Sequence, residues 1–318
     1  MALWTYIAQD ILLLASLCAL GYGLASKRAG FHIFRAAGWF CFGLYWGLQA
    51  PHYWEIADSV NVLGCLMAMP IFCYLGYHEY LSHKWSDEYE PLRFVGWAMF
   101  IASTGFFVVD KIPAVSGAFI LVVAQQSVWL ANMFGHSFGV SGVEYYGNPW
   151  YYKTDYLPAN EVNAPLIGVD IKIVIACTAI QALLITAAFI FASRGDGRRK
   201  WQAFAVVAPA IYAVNLARNA LVMVLTHDNG VAYFDFAHNV IGKTISLVAL
   251  VVLVLYAFWE MPELYEDING AFDLFWRKGP KHDYVSNVGR VFDLAAGKRG
   301  KGDGTKRPPA GPAQPPEA

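Results

Sequence analysis

Eight stretches of this 318-residue chain are apolar for long enough to be read as membrane-crossing helices, and nothing else in it constrains the fold as strongly. In hydrocarbon only a helix or a closed barrel satisfies its own backbone hydrogen bonds, and a spanning helix needs roughly 20 apolar residues. The runs cover approximately residues 4 to 24, 36 to 50, 59 to 77, 94 to 110, 112 to 133, 172 to 193, 203 to 226 and 236 to 259. The second is short, and only Asp110 and Lys111 separate the fourth from the fifth. The expected fold is therefore all-α, a polytopic transmembrane bundle of about eight spans. The alternative is seven spans, with residues 94 to 133 making one span and a re-entrant piece. No basic residue precedes the first run and no small-residue cleavage site clearly ends it, so it reads as a span and not as a signal peptide.

Composition agrees. Only 15% of residues are charged and 57% are apolar, whereas soluble domains carry roughly 25% charged residues. Nine of the 23 Lys and Arg lie beyond Met261, so the net charge of -1 averages a nearly neutral body and a basic tail. That excludes a nucleic-acid binder with a positive face. The five cysteines, Cys18, Cys41, Cys65, Cys73 and Cys177, form no CxxC pair and no Cys/His zinc spacing, and an odd set leaves at least one thiol free. Residues 1 to 262 read as one membrane domain and 263 to 318 as a cytoplasmic tail. From the end of the last span, Pro262 to Lys278 alternates acidic and aromatic residues and suits a membrane surface. The Gly-, Pro- and Lys-rich segment from Gly297 to Ala318 is expected to be disordered.

Orientation follows from basic residues in short loops, which favour the cytoplasm. Arg194, Arg198, Arg199 and Lys200 join the sixth and seventh runs, and nine more basic residues follow the eighth; both segments are expected inside. Residues 134 to 171, with Lys153 as their only basic residue, and 227 to 235, with none, are expected outside. With eight spans the loop carrying Lys27, Arg28 and Arg35 is pushed outward, against the rule, and 13 basic residues outvote these three.

An ionisable side chain inside a span costs about 2.5 to 3.5 kcal/mol on insertion scales, which makes each one a functional candidate. In the second half these are Arg218, within Asn215-Leu216-Ala217-Arg218-Asn219, and His238, with Lys243 one turn deeper. The sixth run adds Cys177, with Gln181 four residues on and so on the same helical face. At 1.5 Å per residue Cys177 lies roughly 7 to 8 Å below the outer start of its run and Arg218 roughly 12 Å below the outer end of its own. His238 is within a turn of the outer start of the eighth. A thiolate needs nearby positive charge, since apolar burial alone raises a thiol pKa. Imidazole moves protons near neutral pH, and a guanidinium can donate to an oxyanion. Taken singly, each has a plainer reading. A cysteine in a span is usually filler, as read for Cys18, Cys41, Cys65 and Cys73; a lone arginine can tie helices together; and a histidine can sit at an interface.

Together, Ala176-Cys177-Thr178, Asn215-Leu216-Ala217-Arg218-Asn219 and Ala237-His238-Asn239-Val240-Ile241-Gly242 resemble the exosortase and archaeosortase family of membrane cysteine transpeptidases, more closely its archaeal branch. The resemblance covers about residues 165 to 262. It implies Cys177 as nucleophile, Arg218 as stabiliser of thiolate or oxyanion, and His238 as general acid or base, with Gln181, Asn215, Asn219 and Asn239 in support. Many relatives have Gly soon after the Cys, where this chain has Ala179. The implied substrates are exported surface-protein precursors ending in a short motif, a membrane helix and a basic cluster. The implied reaction cleaves that segment near the outer face and transfers the new carboxyl end to a lipid headgroup amine. No cofactor, metal or nucleic acid is called for. Two other classes compete. Gly139-Val140-Ser141-Gly142 reads as the GxSG of a rhomboid-type serine protease with His238 as its base, although the glycine after that histidine comes one residue late. A transporter or haem protein would use His78, His83 or His136.

Overall fold

A computed structural model describes residues 3–55, 58–145, 150–156 and 171–279. The expected helices α1 (Leu3–Leu24), α2 (His32–Glu55), α3 (Ser59–Trp85), α4 (Glu90–Lys111) and α5 (Pro113–Asn132) are all present. Their boundaries follow local chemistry. Asp58 caps α3 by accepting from the Asn61 N–H, and Ser86, at φ 54°, ends it by returning its own N–H to the carbonyls of His83 and Ser82. Pro91 and Pro113 sit in the first turns of α4 and α5, where a missing N–H costs nothing.

The segment expected to be an outer loop and the start of the sixth span differs from the helical expectation. Strands β1 (Phe138–Tyr145), β2 (Trp150–Tyr156) and β3 (Ile171–Val174) form a three-stranded antiparallel sheet in that order. The run from residue 172 thus begins as a strand, continues through a 3-10 turn at Ile175–Cys177, and becomes helical only in α6 (Ile180–Ala192). Ile171 and Ile173 are buried while Lys172 between them is exposed, the period-2 pattern of a strand with one covered face. Their partners are apolar residues of α5 and of α7 (Gly197–Asn229). Beyond α7 come a single turn α8 (Phe234–Phe236), a π-helical turn over Ala237–Gly242, α9 (Lys243–Glu260) and α10 (Pro262–Phe272).

Among the described residues six helical segments are long and apolar enough to cross a membrane, matching six of the eight expected runs. The other two are α2, which carries Arg35, Gln49 and His52, and α6, which is 13 residues long. Side-chain contacts set the directions. Gly96 lies against Leu24, Gly21 against Phe100, and Lys111 pairs with Asp10 at 2.9 Å, so α4 runs antiparallel to α1. Phe94 meets Phe189 and Gly105 meets Leu184, so α4 is also antiparallel to α6. Phe191 packs on Trp201 and Phe204, so α7 returns along α6, and Ala257 shares a core with Ala203 and Val207, so α9 returns along α7.

The odd element is α5. It starts at the Lys111 end of α4, the end that holds the start of α6, and it finishes at Asn132, whose side chain grips the backbone of Phe138 in β1 at 2.7 and 2.9 Å. Between these points Ser127 reaches Asn219 of α7. Helix α5 therefore begins and ends at the same end of the bundle, here called the sheet end, as in the re-entrant alternative. Seven helices alternate in direction, and the basic residues Lys27, Arg28, Arg35, Arg93, Arg194, Arg198, Arg199 and Lys200 gather at the opposite, basic end. The conflict between the two halves disappears. Helix α10 docks at that basic end: buried Asp267 accepts from the backbone and side chain of Arg194, and Gly270 packs on Pro91.

The chain divides into compact units at Met1–Ala271 and Phe272–Ala318. The second shows a 3-10 turn at Asp273–Trp276. The expected disorder from Gly297 lies outside the described residues.

Candidate functional site

Cys177 ends the 3-10 turn that β3 feeds. Thr178 closes this turn, its hydroxyl donating to the Ile175 carbonyl at 2.6 Å. Ala179 then adopts the left-handed conformation at φ 62°, ψ 0°, and α6 starts at the next residue. An L-residue with a Cβ pays roughly 1–2 kcal/mol for that geometry, so glycine at this position would relieve strain. This turn also corrects the reading of Gln181. Cys177 and Gln181 do not share a helical face, because the chain reverses its handedness at Ala179, and Gln181 is exposed.

Two asparagines one turn apart on α7 hold the turn in place. The side-chain amides of Asn215 and Asn219 both donate to the Cys177 carbonyl, at 2.8 and 3.0 Å, and both residues are buried. The carbonyl's two acceptor sites are thus used by one helix, which fixes the thiol-bearing residue against α7. Asn219 reaches Ser127 of α5 as well, at 3.5 Å. Arg218 lies between these asparagines in sequence and donates from one terminal nitrogen to Asn219 Oδ1 at 3.3 Å, while its buried Nε has no hydrogen-bond partner among the described residues.

The third element is the π-helical turn. Such turns are rare and recur at functional sites. Here it carries His238, whose ring stacks on Phe234 with centroids 5.3 Å apart and planes 13° apart. At its end Gly242 faces the Arg218 stem: a Cβ there would sit 3.3 Å from both Arg218 Cγ and the Ala237 carbonyl oxygen. Arg218 is packed against the same turn that presents His238. Cys177, His238, Asn219, Phe234 and Lys172 line one cavity of about 30 Å³, room for a water molecule or two.

Cys177, Arg218, His238, Asn215 and Asn219 are therefore neighbours. Asn239 and Lys243 are exposed. Ser141 lies in β1, opposite Lys153 across the hairpin and not at a helix start, which removes the helix-start setting that the serine-protease alternative needs. His78 and His83 stand near the basic end, where His83 Nδ1 meets the Ala29 carbonyl at 2.8 Å. Sequence reasoning missed Ser127, Lys172 and Phe234, and gave Gly242 no packing role. Gln125-Gln126-Ser127, a polar triplet inside an apolar run, was the available signal for the first.

A thiol, a guanidinium with spare donor capacity and an imidazole are thus gathered at the sheet end of the helical bundle. The model of the transmembrane exosortases matches residues 5–255, most of the chain, and the protein belongs to that family of multi-pass membrane proteins. It is a sorting enzyme of transpeptidase type. It is similar to archaeosortase A of Haloferax volcanii, with 24% identity over 282 residues covering 80% of this chain and 88% of that protein. No solved structure matches.

Proposed function

We propose that the protein cleaves the carboxy-terminal segment of surface-protein precursors and transfers the new carboxyl end to the amine of a membrane lipid. The observation that carries this reading is the clamp of Asn215 and Asn219 on the Cys177 carbonyl, which brings the thiol to the helix that bears Arg218 and to the cavity that His238 lines. The Cys177 thiolate attacks the scissile carbonyl, and Arg218 donates to the oxyanion that forms. His238 gives a proton to the departing amine, leaving a thioester at Cys177. The lipid amine then attacks this thioester and loses a proton to His238, and the C–S bond breaks to release the amide and restore the Cys177 thiolate. Lys and Arg favour the cytoplasm, so the gathering of basic residues supports a cytoplasmic basic end and carboxy-terminal tail. The Cys177 site then opens toward the outer leaflet, where a membrane-tethered peptide and a lipid can both reach it.

The test co-expresses the protein with a tagged substrate carrying its own carboxy-terminal membrane helix. Wild type should shorten the substrate and leave a lipid on its new end by mass spectrometry. Cys177→Ala, at equal protein level, should leave the substrate whole. A Cys177→Ala variant that still processes sinks the cysteine reading; a shortened substrate with a free carboxylate leaves a hydrolase in place of a transferase.

A further inference from the structure

Away from the Cys177 cavity, three side chains converge that the proposed reaction does not use. His136, in the connection between α5 and β1, and His227 and Asp228, in the last turn of α7, bring one ligand-capable atom each to within 4.8 Å of one another. His136 Nδ1 and Asp228 Oδ1 are 3.9 Å apart. Ligand atoms about 2.0–2.1 Å from a tetrahedral cation stand roughly 3.4 Å from each other, so rotamer adjustments of about 0.5 to 1.4 Å close the set. The sequence separates His136 from the other two by about 90 residues, and neither histidine spacing suggests a site.

We propose that His136, His227 and Asp228 form a binding site for one divalent cation of the zinc class, with water completing its shell. Two imidazoles and one carboxylate suit zinc and its neighbours better than calcium or magnesium, which prefer oxygen ligands alone. The scaffold is already organised. Gly135, at φ +90°, turns the chain toward His136, and Asn132 holds Phe138 through both backbone groups. The Phe138 ring lies 5.7 Å from each histidine ring, and the two histidines meet nearly perpendicular at 5.8 Å. Position adds a second argument. Asp228 sits at the carboxy-terminal end of a 33-residue helix, where the helix dipole disfavours an anion and favours a cation. A metal there joins the end of α7 to the start of β1. It lies eight residues, roughly 12 Å, along α7 from Asn219. Its role is accordingly to position the sheet that carries Lys172 and feeds the Cys177 turn, and it holds no reacting atom.

The proposal does not depend on the role given to Cys177 and is tested without an activity assay. Untagged full-length protein in detergent is stripped with a chelator and titrated with Zn²⁺, then separately with Co²⁺. Wild type should bind one equivalent, gain thermal stability on loading, and give a cobalt visible spectrum of nitrogen and oxygen ligands. His227→Ala and Asp228→Asn, which alter exposed or half-buried positions, should each weaken binding at least tenfold without lowering the metal-free melting temperature. Failure of wild type to bind overturns the site. So does a sulfur-to-cobalt charge-transfer band, which assigns the metal to cysteines, or unchanged affinity in both variants.

Discussion

Arg35 and Arg218 are both arginines within the helical body, and their surroundings differ in kind. Arg35, near the basic end, is 1% exposed and is met by carboxylates on two sides. Both of its terminal nitrogens bond Glu88, at 2.8 and 2.9 Å, Glu79 lies 3.5 Å away, and His32 bridges the two acids at 2.8 and 3.3 Å. Arg218, near the sheet end, has no carboxylate at ion-pair distance among the described residues and bonds only a neutral amide oxygen, at 3.3 Å. A charge already neutralised by two carboxylates has little left to offer an incoming group, even though Arg35 Nε, like Arg218 Nε, has no hydrogen-bond partner among the described residues. One held among neutral amides keeps its donors for negative charge that arises only during a reaction. Burial of charge is thus a weak guide to function in this fold, and incomplete compensation is a better one.

That contrast can be broken by substitution. The largest effect should come from Arg35→Met, which strands Glu79 and Glu88 without their cation and should cost about 3–5 kcal/mol, read as a fall in melting temperature and in folded yield. A variant as stable as wild type removes the structural role assigned to this cluster. Arg218→Lys, which keeps the charge and loses the planar fork, should lower turnover by about 10² to 10³ while leaving the melting temperature unchanged. Equal turnover, or a loss of stability instead, would make Arg218 a structural tie like Arg35.

The smallest effect sharpens the same contrast through pH. Burial pushes the Glu88 carboxyl up, but the bonds and charge of Arg35, with His32 and Arg93 beside it, outweigh burial and leave its pKa below the ordinary value. A depressed carboxyl stabilises the fold above its unfolded value, about 4.3, and that stability is lost as pH falls through the folded value. Melting temperature should therefore drop below about pH 4.3 in wild type and drop less steeply in Glu88→Gln. Matching slopes would show that Arg35 does not hold Glu88 ionised.

Helix existence was legible because hydrocarbon leaves a continuous apolar run few options, and Cys177, Arg218 and His238 stood out because charge and polarity are costly there. The Gln181 partnership failed for a definite reason. A short run of Ile and Val reads equally as strand or helix start, and only the cover offered by α5 and α7 makes residues 171 to 174 a strand. The positive φ of Ala179 that follows has no marker in residue type.

By itself the sequence determined a polytopic helical body, the residues in it able to do acyl-transfer chemistry, and the segments rich in basic residues. Each is a local property, set by transfer free energy and side-chain type along one stretch of chain. Tertiary structure alone decided that α5 does not traverse the bundle, which puts every basic segment of the helical body at one end. It also decided that Asn215 and Asn219 clamp the Cys177 carbonyl, that Gly242 admits the Arg218 stem, and that His136 meets His227 and Asp228. These are contacts between residues 24 to about 90 positions apart, and they arise from packing between faces whose partners no single window of sequence contains.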